Sequence, residues 1–441
     1  MREQDKPDTY PTPTYAWYTV GLLVIVYTFS YIDRQILGLL GPAIKADFGI
    51  SDTQFGLLTG IAFAVFYGVF GLFCARIADT GSRRGLIAVG LFLWSLMTAA
   101  SAFAKSFIHL FILRVGVGVG EATLAPAANS LIADSFPKGK LSTAMSVYSM
   151  GIPIGSGLAF IVGGAVISWA GTLPDISFLG FEVINNWQKT FILVGLPGLL
   201  LTLMVLTIRE PKRKGIEGPK PESVPLAKVW AQFKQQPKAY GAIFFGLSAI
   251  ATLSYGTLTF LAIFMQRIHS IDSSTLGYNF GFISLIGGML GLILGGRIAD
   301  TLYRRGRNDA HILALLVSPI GYFIPALIYP QATDLSLMWG MLFIQFLFIN
   351  LPTGAAYAAI SMITPNQMRG QFTAAFIMVV SLLGYSLGPL LVGVFNDYVF
   401  ADEMAIDKSL VLLALITTPI SIFFMMYGRK QFAAAVLKHP D

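Results

Sequence analysis

Twelve apolar runs of about 18 to 28 residues recur along this chain, each long enough to cross a hydrocarbon layer of roughly 30 Å as a helix. Lipid offers no hydrogen bonds to a main chain, so runs of this length fold as helices whose backbone groups pair internally. We read them at 16–40, 55–78, 85–103, 107–132, 141–169, 188–208, 239–265, 275–299, 310–328, 336–361, 371–395 and 409–427. Of the 441 residues, 55% are hydrophobic and 12% charged, about half the charged share of a soluble domain, which excludes a soluble globular enzyme. The net charge of +7 does not point to nucleic acid, because the basic residues are spread through short connections rather than gathered on one domain. Cys74 lies inside a span, which rules out a disulfide framework, and His109, His269, His311 and His439 lack metal-ligand spacing. With no nucleophile, phosphate loop or metal cluster in view, neither enzymatic activity nor a cofactor is expected. The opening residues are polar and proline-bearing and the first apolar run is full length, so no removable signal peptide is expected.

The one long connection, 209–238, is rich in Lys and Pro and divides the chain into 1–208, the linker 209–238, and 239–441. If both termini are cytoplasmic, inside loops and tails hold 23 of the 30 Lys and Arg, and outside connections hold five: Lys45, Lys105, Lys189, Arg267 and Lys408. The remaining two, Arg34 and Arg114, lie within spans. We therefore expect a multi-pass protein of a bacterial cytoplasmic membrane with both termini inside, functional as a monomer. A self-comparison adds a repeat: the segment from Arg76 to Gly85 recurs from Arg297 to Gly306 with eight of ten residues identical, at an offset of 221. Later in each half the offset becomes 231, pairing Ser130 with Ser361 and Lys138-Gly139 with Arg369-Gly370. The expected fold is all-α: twelve transmembrane helices in two pseudo-symmetric six-helix bundles of the same orientation, with a site between them near mid-membrane.

At these residues the chain resembles the major facilitator superfamily, whose signature the two Asp-x-x-x-Arg-Arg-Gly loops match. Within it, three segments resemble the spinster family: Tyr31-Ile32-Asp33-Arg34, the stretch from Gly49 to Leu58, and Arg114 followed by Gly118, Gly120, Glu121 and Ala122. That resemblance implies a secondary transporter working by alternating access, and a lysolipid-like substrate of sphingoid phosphate or lysophospholipid type. The same charges occur in organic-anion symporters of the superfamily, which stand as the alternative. A transport-inactive sensor or scaffold is the alternative of another class.

Features found in only one half are the candidates for chemistry. Asp33, Arg34, Arg114 and Glu121 lie well inside spans, and the offsets map them onto Ser254, Tyr255, Gln345 and Pro352, so all the deep charge is in the first half. Net neutrality among the four points to two ion pairs, since a lone charge there is costly. Asp33, Glu121 and Arg114 are expected to couple protons, with Arg114 the expected partner of Asp33. Arg34 continues the face of Tyr27 and Tyr31, turned about 100° from Asp33, and is expected to meet substrate. The corresponding face of the seventh span carries Ser248, Thr252, Tyr255 and Thr259; Gln345, Asn350, Tyr357 and Tyr385 are weaker candidates of the same kind. A cavity charged on one wall and polar-aromatic on the other would suit an amphipathic substrate with an anionic head. The repeated loops are expected to form a cytoplasmic latch between the halves. Asp79, Arg83 and Arg84 would face Arg369, while Asp300, Arg304 and Arg305 would face Lys138, each aspartate offsetting its position at a helix C-terminus by meeting a helix N-terminus.

Overall fold

A computed structural model describes residues 10–438 apart from 179–180, 184, 214–224 and 366–367. Among the described residues, twelve helices are long and apolar enough to span a membrane: Pro13–Leu39, Asp52–Ala78, Arg83–Phe103, Phe107–Ser135, Thr143–Ala170, Asn186–Val205, Pro237–His269, Ser273–Arg304, Ala310–Gln331, Leu335–Ile363, Arg369–Phe400 and Glu403–Lys438. They match the apolar runs in number and order, and most overrun them by a few residues. The last extends furthest, because lipid dictates only the apolar stretch while the helix continues wherever its own hydrogen bonds close. A short antiparallel hairpin, Ile176–Phe178 against Phe181–Val183, joins the fifth and sixth spans.

The 209–238 linker and the loops after the second, fourth, eighth and tenth spans share one end of the bundle, here the linker end; the opposite is the far end. The two six-helix bundles meet along three lines, with the first span facing the seventh, the second on the eleventh and the fifth on the eighth. Small residues permit these approaches in the absence of a hydrophobic drive between helices. A Cβ on Gly56 would lie 2.5 Å from the Pro389 carbonyl oxygen, and one on Gly277 2.5 Å from that of Phe160. One apolar core, around Leu91, Trp94 and Leu131, stays within the first half. The second-half core instead runs on into first-half residues such as Ile36, Leu40, Phe55 and Phe160, where Phe55 meets Phe260 and Phe160 meets Phe280 edge-on. The halves are thus fused by apolar packing toward the far end.

Irregularities in three spans position the site. The fourth breaks after Glu121, where Thr123 N–H bonds the Gly120 carbonyl three residues back; Pro126, whose ring would crowd the carbonyl of residue 122, follows at once. The tenth breaks in the same way after Asn350, at Pro352. The eleventh contains two π-helical stretches, Val380–Tyr385 and Phe395–Phe400. Such turns shift the helix face by one residue, and in this chain each coincides with a cluster described below.

Candidate functional site

Near the middle of the bundle the Arg34 guanidinium bonds the Glu121 carboxylate, Nε to Oε2, at 2.5 Å. The pair is nearly closed to the surroundings, with side-chain exposures of 9% and 0%. Three rings also surround the guanidinium, its carbon lying 5.1 Å from the centre of Tyr31, 4.8 Å from Phe63 and 4.7 Å from Tyr67. At these distances the aromatic faces attract the cation as well. Glu121 Oε1 has no hydrogen-bond partner among the described residues, so the carboxylate is held by one oxygen only.

Arg34 and Asp33 do point apart, and Arg34 takes the cavity side. It lines a space of about 30 Å3 together with Gln35, Gly38, Thr59, Phe63 and Arg114 of the first half and Tyr255, Thr259 and Tyr385 of the second. That volume accommodates a water-sized group. The expected pairing of Asp33 with Arg114 needs correction. Arg114 Nη1 reaches the main-chain carbonyl of Asp33 at 3.5 Å rather than its carboxylate. Asp33 is fully buried beside Trp94 and Thr98 of the third span, and neither of its oxygens meets a donor in hydrogen-bond geometry. Arg114, whose guanidinium carbon lies 5.9 Å from the centre of the Phe63 ring, acts on Asp33 through its charge without a direct hydrogen bond to the carboxylate.

Across the cavity, the Tyr255 and Tyr385 rings meet at a 31° tilt with centroids 3.9 Å apart, the second carried there by the first π-helical stretch. Ser248 and Thr252, expected on the same wall, are buried with their hydroxyls bonded to main-chain oxygens: Ser248 to Phe244 at 2.8 Å, Thr252 to Ser248 at 2.8 Å and to Leu383 at 3.2 Å. They are helix-packing residues in this arrangement, because a hydroxyl one turn from a carbonyl satisfies itself locally. Tyr27 stacks on Tyr148 at 4.9 Å and meets Tyr31 edge-on. Sequence reading missed Tyr148, Phe63 and Tyr67. The four-residue spacing of Thr59, Phe63 and Tyr67 along the second span was the available signal.

A second cluster, at the far end, was also missed. The helix Gly41–Phe48 closes on Gly49 in the left-handed region (φ 61°), and Ser51 then caps the second span in a reciprocal box with Gln54. This sets Asp52 at the span's first turn, fully buried. Its carboxylate accepts from Lys45 at 2.6 Å, from both Arg267 terminal nitrogens at 2.6 and 3.0 Å, and from the Asn396 amide at 2.8 Å. Asp397 in turn accepts the main-chain N–H groups of Asp52 and Thr53 at 3.3 and 2.7 Å, an anion at a helix N-terminus. Asn396 and Asp397 belong to the second π-helical stretch. Among the described residues, Asp52–Arg267 is the one ion pair that joins the two halves.

The linker end differs from expectation. Arg83 is fully buried and bonds Asp134 of its own half and Glu210 at the start of the linker, while Arg84 donates to the Leu206 and Ile208 carbonyls. Arg369 donates to the Ser361 and Thr364 carbonyls at 3.0 and 3.3 Å, again within its own half. Arg84 and Arg369 satisfy carbonyls at or just past helix C-termini, a local demand that precedes any contact between halves. Asp300, Arg304 and Arg305 are exposed. The side chains of Asp79 and Lys138 lie outside the described residues.

The chain matches the profile of the Major Facilitator Superfamily over residues 23–399 and belongs to that superfamily. It is 28% identical to an MFS-type efflux pump of Mycolicibacterium smegmatis, the match covering 91% of this chain and 90% of that protein. It is 25% identical to protein spinster of Drosophila melanogaster, over 86% of this chain and 62% of the longer relative. It is 24% identical to a hexuronate transporter of Bacillus subtilis, over 90% of this chain and 94% of that one. The fold is that of a crystallised bacterial homologue of the human lysosomal transporter spinster in an inward-facing, unoccupied conformation, with a TM-score of 0.79, 24% identity, and 97% and 98% of the two chains covered.

Proposed function

We propose that this member of the Major Facilitator Superfamily is a proton-coupled secondary transporter that moves an amphipathic, lysolipid-like anion by alternating access. The observation that carries the reading is the Arg34–Glu121 pair at a cavity lined by both halves. With Glu121 ionised, Arg34 is occupied; a proton on Glu121 removes the charge that holds it and frees a guanidinium, already cradled by aromatic rings, for an anionic head. Asp33, fully buried beside Trp94 and Thr98, is the second carboxylate able to take a proton, and Arg114, which interacts with both carboxylates, balances the charge. Tyr27, Tyr31, Tyr255 and Thr259 supply the polar-aromatic lining. A space of about 30 Å3 admits no lipid, so substrate entry requires the halves to part at the linker end, while the Asp52 cluster and the fused core keep the far end shut. We assign the linker end to the cytoplasm, from the 23 basic residues on that side, and take 1–208 and 239–441 as the two moving bodies with 209–238 as the tether.

The organic-anion alternative is favoured by one finding, the likeness to the hexuronate transporter, and a single experiment separates the readings. Purified protein in liposomes is tested for flux of lysophospholipids, sphingoid phosphates and hexuronates under an imposed pH gradient. Glu121→Gln is expected to abolish pH-driven flux while substrate still stabilises the folded protein, and Arg34→Lys to weaken binding by loss of the planar fork. Identical pH dependence in Glu121→Gln and wild type would overturn the coupling role. Flux of hexuronate without any of a lysolipid would overturn the substrate class.

A further inference from the structure

The linker contains a helix, Leu226–Gln235, that has no part in the site above. It ends at Gln236, directly before the seventh span begins at Pro237, and so sits at the boundary between membrane and water. One side is fixed to the protein: Phe233 stacks on Tyr240 at 5.8 Å, Tyr240 stacks on Phe372 at 4.3 Å, and its hydroxyl donates to the Ile363 carbonyl at 3.0 Å. Trp230 extends this ladder outward, stacked on Phe233 at 5.3 Å yet 57% exposed, with the Lys234 ammonium 5.6 Å from the centre of its ring and Lys228 exposed on the same helix. No acidic residue occurs from 223 to 271, so the cations there face no carboxylate from their own stretch of chain. The pattern continues onto the neighbouring spans. Lys238 lies 4.5 Å over Tyr427, which is exposed and stacks on exposed Phe423 at 5.7 Å.

We propose that Leu226–Gln235 is a docking surface for anionic phospholipid headgroups. An indole left in water gains by moving to the headgroup level, where its ring meets acyl carbon and its N–H meets polar groups. Lysines beside it, on a helix that carries no acid, find their complement in a negatively charged leaflet. Because Trp230 stacks on Phe233 and Phe233 on Tyr240, the helix is a platform held at fixed depth, in line with the aromatic girdle of Tyr427 and Phe423.

The proposal does not depend on the transport reading, and its test uses no transported substrate. The full chain is placed in bilayers of phosphatidylcholine with or without phosphatidylglycerol. Tryptophan quenching by lipids brominated near the headgroup is compared between wild type and Trp230→Phe, and spin-labelled lipids report the preference for phosphatidylglycerol over phosphatidylcholine. The quenched component should fall in Trp230→Phe, leaving only the share of the other exposed tryptophans, Trp17 and Trp169, and the preference for phosphatidylglycerol should drop several-fold in Lys228→Gln/Lys234→Gln, a pair of exposed changes that leave the stacked rings intact. Quenching of Trp230 by aqueous iodide and not by brominated lipid would overturn the proposal. So would a phosphatidylglycerol preference that the double variant leaves unchanged.

Discussion

In the first copy of the repeated loop Arg83 is wholly buried between Asp134 and Glu210, whereas in the second copy its counterpart Arg304 is exposed. The sequences are nearly the same, and the surroundings are not. Asp134 corresponds by the repeat to Pro365, and the acid that follows the sixth span, Glu210, folds back onto the loop, bonding Ser82 Oγ at 2.8 Å and the Arg83 N–H at 2.8 Å. The twelfth span instead continues as helix to Lys438. There the tie between outer helices has reversed polarity: Asp309, just before the ninth span, accepts from Arg429 of the twelfth at 2.6 Å. Each half fastens its third helix to its sixth, the first with an arginine on the third and the second with an arginine on the sixth. A repeated motif therefore specifies a turn and a supply of charge, and the partners decide what that charge does.

Arg83→Ala should break this comparison most visibly. Removing a buried cation from between two carboxylates is expected to cost about 3–5 kcal/mol, read as a large fall in the thermal midpoint of purified protein. Equal midpoints for Arg83→Ala and wild type would show that burial of Arg83 contributes nothing to stability. Glu210→Gln comes next, at about 1.5 kcal/mol, toward the low end for hydrogen bonds to a charged group. Partial burial of the Glu210 carboxyl works against its ionisation, but the Arg83 main-chain and side-chain donors, Ser82 and the Arg83 charge outweigh it and hold its pKa below the usual range. Its stabilisation is therefore complete above the unfolded value of about 4.3 and is lost as pH falls from there through the folded value. Over that acid window Glu210→Gln should flatten the dependence of the midpoint on pH relative to wild type.

The second copy sharpens the contrast at the small end. Hydrogen bonds from Arg307 hold the Asp309 carboxyl below its usual range against modest burial, with Arg429 adding to the effect. Both arginines are partly exposed, at 46% and 32%. Asp309→Asn is expected to cost about 1 kcal/mol or less, and Arg304→Ala to stay within about 0.5 kcal/mol of wild type. A loss in Arg304→Ala as large as in Arg83→Ala would mean that the two copies are equivalent after all.

The same asymmetry explains which parts of the site could be read from the chain alone. Asp33, Arg34, Arg114 and Glu121 stand out because charge inside an apolar run is rare, and their absence from the second half isolates them. Their pairing was not legible: Arg34 takes Glu121, 87 residues away, and Arg114 reaches a main-chain oxygen. Phe63, Tyr67 and Tyr148 escaped notice because an aromatic residue in an apolar span looks like core until a cation is seen against it. The Asp52 cluster escaped because Lys45 and Arg267 look like ordinary loop charges, and only folding brings them to one carboxylate across the two halves.

By itself the sequence determined the number and order of the spans, the two-fold repeat, and the concentration of deep charge in one half. Those follow from composition and period, which lipid reads locally and without reference to neighbours. Tertiary structure decided which arginine meets which acid, which end of the bundle is fastened, and whether a serine faces a cavity or its own helix. These depend on directions: a helix turns 100° per residue, and the breaks after Glu121 and Asn350 and the π-helical stretches around Tyr385 and Asn396 reset that rotation by amounts that no residue pattern announces.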